Sequence, residues 1–303
     1  MKQPLNTRFR FLLLLVMLLS SWAWADQRPT VVATFSVLED FAAEVAGDHA
    51  RVLALTPRGA EVHEYELRPA DFRLLESADL VFFNGWNLEL WMDQVRAVVG
   101  RDVAVVAVAE QAGVDPLPII GGEFGGEPDP HVWMDPRRAA AMVELMYAQL
   151  AELMPEHADS LRVNADAFLS DLDALYEDMV QAFEVIAPDH RVLITSEAAF
   201  VYFAEAFDFF HDAIWGSNAE VEGSPRQIMR ITNVIQERRP PAIFWESTVS
   251  SRQVESISAD TGVPVRGPLY VDSLGPPDGS AASYIDMMQE NLWLLTEALA
   301  DGH

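Results

Sequence analysis

Four residues of the kinds that bind metal ions are spread along this chain: His63, His131, Glu197 and Asp272. They lie 68, 66 and 75 residues apart, and each falls between a segment with a strand pattern and a segment with a helix pattern. Two imidazoles and two carboxylates form a plausible ligand set for one divalent transition-metal ion. We therefore predict that the chain holds these four side chains around a single ion.

The segment Pro128–Pro136, with the sequence PDPHVWMDP, gives the strongest local signal. The two prolines that flank Asp129 fix φ and keep the chain before His131 out of a helix. Asp135 followed by proline has the pattern of a helix N-cap and a first helical residue. His131 is therefore expected just before a helix, on backbone that has little freedom to move.

The other candidate ligands also have plainer interpretations. His63 stands in an acidic run, in which we expect at least two of the three glutamates to be solvated. Glu197 and Asp272, at the ends of predicted strands, can instead be helix N-caps. Glu246 follows another predicted strand. It either holds the metal ligands in position without binding the ion itself or pairs with an arginine such as Arg252. The metal hypothesis therefore depends on the four residues together.

Strand and helix patterns alternate along the chain, and these elements must position the four residues. The strand patterns are β-branched and apolar, whereas the segments between them have apolar positions at helical spacing. This alternation predicts an α/β fold with parallel strands and crossover helices, in which ligands bind beyond the carboxyl ends of the strands. The predicted strands are Thr30–Phe35, Arg51–Leu55, Leu80–Asn84, Val103–Val108, Arg191–Thr195, Phe209–Trp215, Ala242–Trp245 and Val263–Val265.

A long helix is predicted between the two halves of the chain. Residues 156–187 contain neither proline nor glycine, and their apolar positions recur at steps of three and four. As an amphipathic helix this segment would reach roughly 48 Å, at about 1.5 Å per residue. It is either a strut along both lobes or a surface helix folded back on one. The predicted divisions are a signal peptide at 1–25, an N-terminal lobe at 26–155, the connecting helix at 156–187 and a C-terminal lobe at 188–303.

The N-terminus has the pattern of a secretory signal peptide. Three basic residues precede the apolar run Phe11–Leu19, and Ala23-Trp24-Ala25 forms a small-residue cleavage pattern. We expect cleavage near Ala25 and a soluble, exported protein.

Composition and charge exclude several classes of site and partner. The chain has no cysteine, which excludes disulfides, thiolate ligands and a lipid-modified N-terminal cysteine. Its net charge is −27, and loss of the three basic residues in the signal peptide makes it −30. A charge of this size excludes a nucleic-acid partner.

Six segments occur in a recognisable order and cover nearly the whole mature chain: GAEVHEYEL, NGWNLE, PDPHVWMDP, TSEAAF, AEVEGSP and VDSLG. Together they resemble the family 9 (cluster A-I) solute-binding proteins, the extracytoplasmic receptors of manganese, iron and zinc ABC importers. The resemblance implies two α/β lobes with parallel-type sheets flanked by helices, joined by one long rigid helix, with the metal site in the interlobe cleft. It also implies metal-ligand roles for His63, His131, Glu197 and Asp272, an ABC-importer permease as partner and no enzymatic activity. We expect a monomer.

The third ligand position separates the subgroups of this family. Its zinc receptors usually have histidine there, often with a histidine-rich loop in the first lobe, whereas this chain has Glu197 and no such loop. Carboxylate oxygen suits harder ions and raises the coordination number above the four that zinc prefers. We therefore expect a free periplasmic receptor that captures Mn²⁺ or Fe²⁺ and delivers the ion to a permease. The alternatives are a zinc receptor of the same family, a secreted metallohydrolase and a surface adhesin.

Overall fold

The computed structural model describes residues 28–122, 124–216 and 223–300. The predicted signal peptide and its cleavage site therefore lie outside the described residues, as does most of the AEVEGSP segment. Among the residues that are described, no helix combines the length and the apolar composition needed to cross a membrane.

A four-stranded parallel sheet forms the first lobe. Its strands pair in the order β2-β1-β3-β4, and the central strands are almost fully buried because they carry apolar residues on both faces. The strands are β1 (Thr30–Ala33), β2 (Arg51–Ala54), β3 (Leu80–Phe83) and β4 (Ala104–Ala107). The helices are α1 (Ser36–Ala46), α2 (Pro69–Glu76), α3 (Met92–Val98), α4 (Val108–Gln111) and α5 (Pro136–Leu153).

The long helix α6 (Ala158–Phe183) is shorter than predicted. The turns before and after it, Pro155–His157 and Pro188–His190, are 3-10 helices. Its 26 residues correspond to about 39 Å at 1.5 Å per residue, not 48 Å.

The helix α6 contacts both lobes, as the strut interpretation requires. It packs on α1 and α5 of the first lobe. At its other end, the ring of Phe183 lies 5.7 Å from that of Phe203 and 5.1 Å from that of Phe209 in the second lobe. The domain boundaries at residues 155 and 187 stay predictions.

The second lobe contains two pairs of parallel strands, with the first pair beside the second. The strands β5 (Val192–Glu197) and β6 (Phe210–Trp215) form one pair, and β7 (Ile243–Glu246) and β8 (Val265–Leu269) form the other. The helices are α7 (Val201–Phe207), α8 (Pro225–Arg238), α9 (Arg252–Thr261) and α10 (Tyr284–Leu299).

Seven of the eight strands lie within two residues of their predicted bounds at each end. The exception is β8, which was predicted at Val263–Val265 and is found at Val265–Leu269. The difference arises because β8 includes Gly267 and Pro268, which weaken the strand pattern in the sequence. Within the described residues, β8 pairs only with β7. A strand that is paired on one side tolerates a proline on its other side.

One hydrophobic core extends through both lobes. It includes buried residues of β1 and β3, the apolar face of α6, and residues of α7 and α10. A second, smaller core lies under the strands of the second lobe and includes Ile194, Ile214, Ile235 and Ile257. The lobes are therefore joined by packing as well as by the chain.

Candidate metal centre

The four predicted ligand residues lie together in the structure. One potential ligand atom from each of His63, His131, Glu197 and Asp272 can be chosen so that all four atoms lie within 4.8 Å of one another. Each of these residues is only 1% exposed. The cluster draws two residues from each lobe and is closed to solvent.

The distances within the cluster are close to those of a coordination sphere. Nε2 of His63 lies 3.4 Å from Oε1 of Glu197, and Nε2 of His131 lies 3.4 Å from Oδ1 of Asp272. Nε2 of His131 is also 3.8 Å from Oε1 of Glu197. Atoms on opposite sides of an ion with bonds of about 2.0–2.2 Å lie at most roughly 4.4 Å apart. All three separations are shorter than this limit.

His63 lies in a turn that its neighbouring acid holds in place. Glu61 accepts hydrogen bonds from the backbone amides of His63 (2.7 Å) and Glu64 (3.0 Å). The carbonyl of His63 accepts a bond from the amide of Leu90 (3.3 Å). Glu64 and Glu66 are exposed, as expected for two of the three acids. The acidic run thus has one structural member and two solvated ones.

Asp129 orients His131. Its Oδ1 accepts the backbone amide of His131 at 2.9 Å and lies 3.0 Å from Nδ1 of the same residue. With Nδ1 bonded to Asp129, the other ring nitrogen, Nε2, faces Glu197 and Asp272. Sequence reasoning assigned Asp129 no role at the site. The available signal is an aspartate two positions before a histidine in a proline turn, the pattern of an Asx-turn.

The helix after His131 begins as predicted. Asp135 caps α5, and its carboxylate accepts the amide of Arg137 at 3.0 Å, with proline at the first helical position. A short 3-10 turn, Val132–Met134, separates His131 from this cap.

The NGWNLE segment supports the His131 loop from the first lobe. Asn84 donates from Nδ2 to the carbonyl of Pro130 (2.9 Å). Glu89 accepts the backbone amides of Asn84 (2.7 Å) and Gly85 (3.3 Å) and the hydroxyl of Thr34 (2.6 Å). Asn84 and Glu89 are both buried. The sequence resemblance marked this segment without indicating what its residues do.

Glu197 is the last residue of β5 and is held by its backbone. Its amide and that of Ser196 donate to Oε1 of Glu246, at 3.2 and 3.1 Å. Its carbonyl accepts the hydroxyl of Thr195 at 2.6 Å. Glu246 therefore contacts the strand that carries a candidate ligand, in line with the first of its two interpretations. No helix starts at Glu197, since α7 begins only at Val201.

His211 belongs to the surroundings of Glu197 and was also missed by sequence reasoning. Its Nε2 lies 2.9 Å from Oγ1 of Thr195, whose proton is engaged with the carbonyl of Glu197. His211 therefore donates to Thr195. Burial, with the charge of His131, lowers the pKa of His211 to about 3, so this imidazole is neutral.

Asp272 lies in a loop after β8, and its interpretation as a helix N-cap is wrong because the next helix begins at Tyr284. The loop is bonded to the first lobe. The indole of Trp133 donates to the carbonyl of Val271 (3.0 Å), and the amide of Gly59 donates to Oγ of Ser273 (2.6 Å). Trp133 is fully buried, and its ring centroid is 5.4 Å from that of His131.

Burial and charge act in opposite directions on the two histidines. Burial lowers the pKa of His63, but the carboxylates of Glu197 and Asp272 outweigh it and raise that pKa to about 9. At His131 burial is likewise outweighed, chiefly by Asp129, and the pKa is raised well above its usual range. Burial and the charge of Asp272 raise the pKa of Glu197. A metal ion must therefore displace protons here, because only neutral imidazoles bind metals.

Buried imidazole nitrogens in the cluster lack good hydrogen bonds. Within the described part of the chain, Nδ1 and Nε2 of His63 and Nε2 of His131 make no contact with hydrogen-bond geometry. Buried polar atoms of this kind are costly unless another group satisfies them. A metal ion would satisfy both Nε2 atoms at once.

The chain is similar to a known protein family, to characterised proteins and to solved structures. The family model for zinc-uptake complex component A, periplasmic (ZnuA), matches residues 31–298. The iron-binding protein YfeA of Yersinia pestis is 36% identical over 278 residues, covering 89% of this chain and 88% of that protein. The manganese-binding lipoprotein MntA of Halalkalibacterium halodurans is 34% identical, covering 94% and 95%. The structure of the periplasmic zinc-binding protein TroA of Treponema pallidum has a TM-score of 0.84 at 28% identity and covers 90% and 100%.

Proposed function

We propose a function for this protein on the basis of its family. The chain belongs to the family of zinc-uptake complex component A, the periplasmic metal receptors of ABC importers. Members of this family are substrate-binding proteins and not enzymes, so the chain is a metal receptor and the hydrolase alternative is excluded. The proposal concerns which residues bind the ion and which ion is carried.

The proposed ligands are His63, His131, Glu197 and Asp272. The observation that carries this proposal is the convergence of four potential ligand atoms within 4.8 Å in a buried position. Each lobe contributes two ligands, so the ion would bind the lobes to each other. A closed site with four protein ligands suits capture and transport of the ion, whereas catalysis needs an open coordination position.

The proposed ion is Mn²⁺ or Fe²⁺. Glu197 adds a second carboxylate to the ligand set, and carboxylate oxygens suit harder ions with coordination numbers above four. The two curated relatives described above are named for binding iron and manganese. We further propose that the protein is released into the periplasm in soluble form and delivers its ion to an ABC permease.

Zinc is the second candidate. The family model is named for zinc uptake, and the TroA structure is named for binding zinc. For a given set of nitrogen and oxygen ligands, affinity for Zn²⁺ exceeds affinity for Mn²⁺. Stronger binding of zinc in the test tube is therefore compatible with transport of manganese or iron in the cell.

Metal analysis of the protein purified from its native periplasm tests the choice of ion. We expect about one manganese or iron per chain, because selection in the cell depends on availability and on release as well as on affinity. Zinc at one per chain would support the second candidate. Protein purified without any of the three metals would contradict both.

A further inference from the structure

Glu246 is a buried glutamate at the end of β7 whose side chain accepts two backbone hydrogen bonds. Its Oε1 accepts hydrogen bonds from two consecutive backbone amides, those of Ser196 (3.1 Å) and Glu197 (3.2 Å). These amides lie at the carboxyl end of β5, where the proposed ligand Glu197 stands. The side chain of one strand thus fixes the backbone of another strand beside the metal centre.

Backbone pairing between β7 and β8 connects Glu246 to the segment that leads to Asp272. In the β7–β8 pair, Glu246 is aligned with Leu269, and the next amide, that of Ser247, donates to the carbonyl of Leu269 at 2.8 Å. Asp272 follows Leu269 by three residues. Glu246 therefore connects the strand of one carboxylate ligand with the strand that precedes the other.

This connection bridges a gap in the second lobe. Its strands form two separate pairs, and β5 lies beside β7 without a described ladder between them. Two backbone bonds beside Glu197 run within the first pair: Thr195 donates to the carbonyl of Glu197, and the amide of Ala198 donates to the carbonyl of Trp215 (3.1 Å). The bonds to Glu246 join this strand end to the second pair.

We propose that Glu246 is a positioning residue that sets the spacing between the carboxylates of Glu197 and Asp272, and thereby the number of carboxylate oxygens that the bound ion receives. This inference rests on the function proposed above. It assigns Glu246 no direct bond to the ion. Its effect on the ion passes through the two strand ends.

The first lobe also contains a buried glutamate that accepts two consecutive backbone amides at the end of a strand. Glu89, also buried, accepts the consecutive amides of Asn84 and Gly85 just after β3. Asn84 in turn supports the carbonyl of Pro130, next to His131. In each lobe, a buried glutamate therefore fixes a strand end on which a proposed ligand depends.

The expected consequence differs between metals. Mn²⁺ and Fe²⁺ accept more than four ligands and use additional carboxylate oxygens, whereas Zn²⁺ is satisfied by four. If the two strand ends are free to separate, the ion loses oxygens. Binding of manganese should then weaken more than binding of zinc.

The test compares Glu246→Ala with Glu246→Gln, using Mn²⁺, Zn²⁺ and Co²⁺ added to metal-free protein. Glu246→Ala should lower Mn²⁺ affinity at least about tenfold, as is typical for residues that orient metal ligands, with a smaller loss for Zn²⁺. The visible absorption of its Co²⁺ complex should rise towards that of a four-coordinate ion. Glu246→Gln keeps an oxygen that accepts both amides, so it should restore wild-type affinity and spectrum.

Ile235→Val is the matched control, since Ile235 is buried in the smaller core of the same lobe. The substitution removes one buried methylene and should lower stability slightly, and none of the hydrogen bonds of Glu246 described above involves Ile235. Equal metal affinities and Co²⁺ spectra in Glu246→Ala and Ile235→Val would overturn the proposal.

If Glu246→Ala does not fold, Glu246→Asp is the variant to measure, because its shorter side chain cannot reach both amides. Wild-type Mn²⁺ affinity in Glu246→Asp would likewise overturn the proposal.

Failure of the proposed function would look different. In that case the wild-type protein would itself bind none of the three metals at its four-residue centre. If the wild type binds Mn²⁺ and Glu246→Ala binds it with the same affinity, the proposed role of Glu246 is wrong but the proposed function stands.

Discussion

His131 presents Nε2 to the proposed metal centre because Asp129 engages its other ring nitrogen. One carboxylate oxygen of Asp129 accepts both the backbone amide and the Nδ1 proton of His131. The same contact thus fixes the turn, the ring orientation and the tautomer. Glu61 holds only the backbone around His63, so the two histidines are not equally constrained.

Replacing Asp129 by alanine should therefore weaken metal binding although Asp129 is not a proposed ligand. We expect a loss of about 10- to 100-fold in Mn²⁺ affinity, because the imidazole loses its preferred tautomer and orientation. Isothermal titration of the purified variant measures this. Affinity equal to that of the wild type would show that the proline turn alone orients His131.

Removing a proposed ligand should have a larger effect than removing a histidine elsewhere. His131→Ala and Asp272→Ala should each lower Mn²⁺ affinity at least about tenfold, which corresponds to about 1.4 kcal/mol or more. His157→Ala is the control, since His157 stacks on His49 at a ring distance of 4.1 Å in a different part of the molecule. A greater loss in His157→Ala than in His131→Ala would contradict the assigned centre.

The pH dependence of metal stabilisation follows from the histidine pKa values. The folded pKa of His63 is raised from 6.5 to about 9, so its contribution to metal-free stability is full below pH 6.5 and is lost as pH rises through 9. Over the same window, fewer protons compete with the ion. The increase in Tm on adding Mn²⁺ should therefore grow from pH 6 to pH 9. A constant increase across that range would argue against two histidine ligands.

Helix α6 joins the two lobes through a continuous apolar face. Its buried residues begin at Leu161 against the first lobe and end at Phe183 among the aromatic rings of the second. An α-helix that is packed along its length resists bending, so the relative position of the lobes depends on this face.

Phe183→Ala should destabilise the protein by about 3–5 kcal/mol, because a fully buried aromatic ring is replaced by a cavity. Val163→Ala on the same helix should have little effect, because Val163 is 67% exposed. Thermal unfolding of both variants in metal-free buffer makes the comparison. Similar Tm values for Phe183→Ala and the wild type would show that the aromatic contacts do not stabilise the lobe junction.

Strand positions could be predicted from the sequence, whereas several supporting contacts could not. Buried parallel strands such as Leu80–Phe83 are apolar throughout, which is a local property that the sequence displays directly. The four candidate ligands could be singled out because each has a suitable residue type and lies between a predicted strand and a predicted helix. Glu246 could be suggested as a supporting residue, but the strand end that it holds is 50 residues away along the chain, and no local pattern encodes which strand it contacts. The ends of α6 were missed because helix ends depend on local turns more than on apolar periodicity.

Each lobe carries two of the proposed ligands, so we expect metal binding and folding to be coupled. Asp272 is already bonded to the first lobe through its neighbours, since Ser273 accepts the amide of Gly59 and Leu274 donates to Ser36. An ion bound by all four side chains adds a further connection between the lobes. The unfolded chain has no assembled site and cannot benefit from the ion in this way.

Saturating metal should therefore stabilise the protein by mass action. At a free Mn²⁺ concentration about 100 times Kd, the expected gain in unfolding free energy is about 2.7 kcal/mol. Denaturant unfolding with and without the ion measures it, and the variant carrying both His131→Ala and Asp272→Ala serves as control. A gain of equal size in that variant would place the stabilising ion elsewhere.

The most direct measurement is anomalous X-ray diffraction at the manganese edge from crystals of the Mn²⁺-loaded protein. We expect one anomalous peak per chain, bonded to Nε2 of His63 and His131 and to carboxylate oxygens of Glu197 and Asp272, at about 2.0–2.3 Å. A single strong peak at any other position, or a peak at the centre without both imidazoles as ligands, would contradict it.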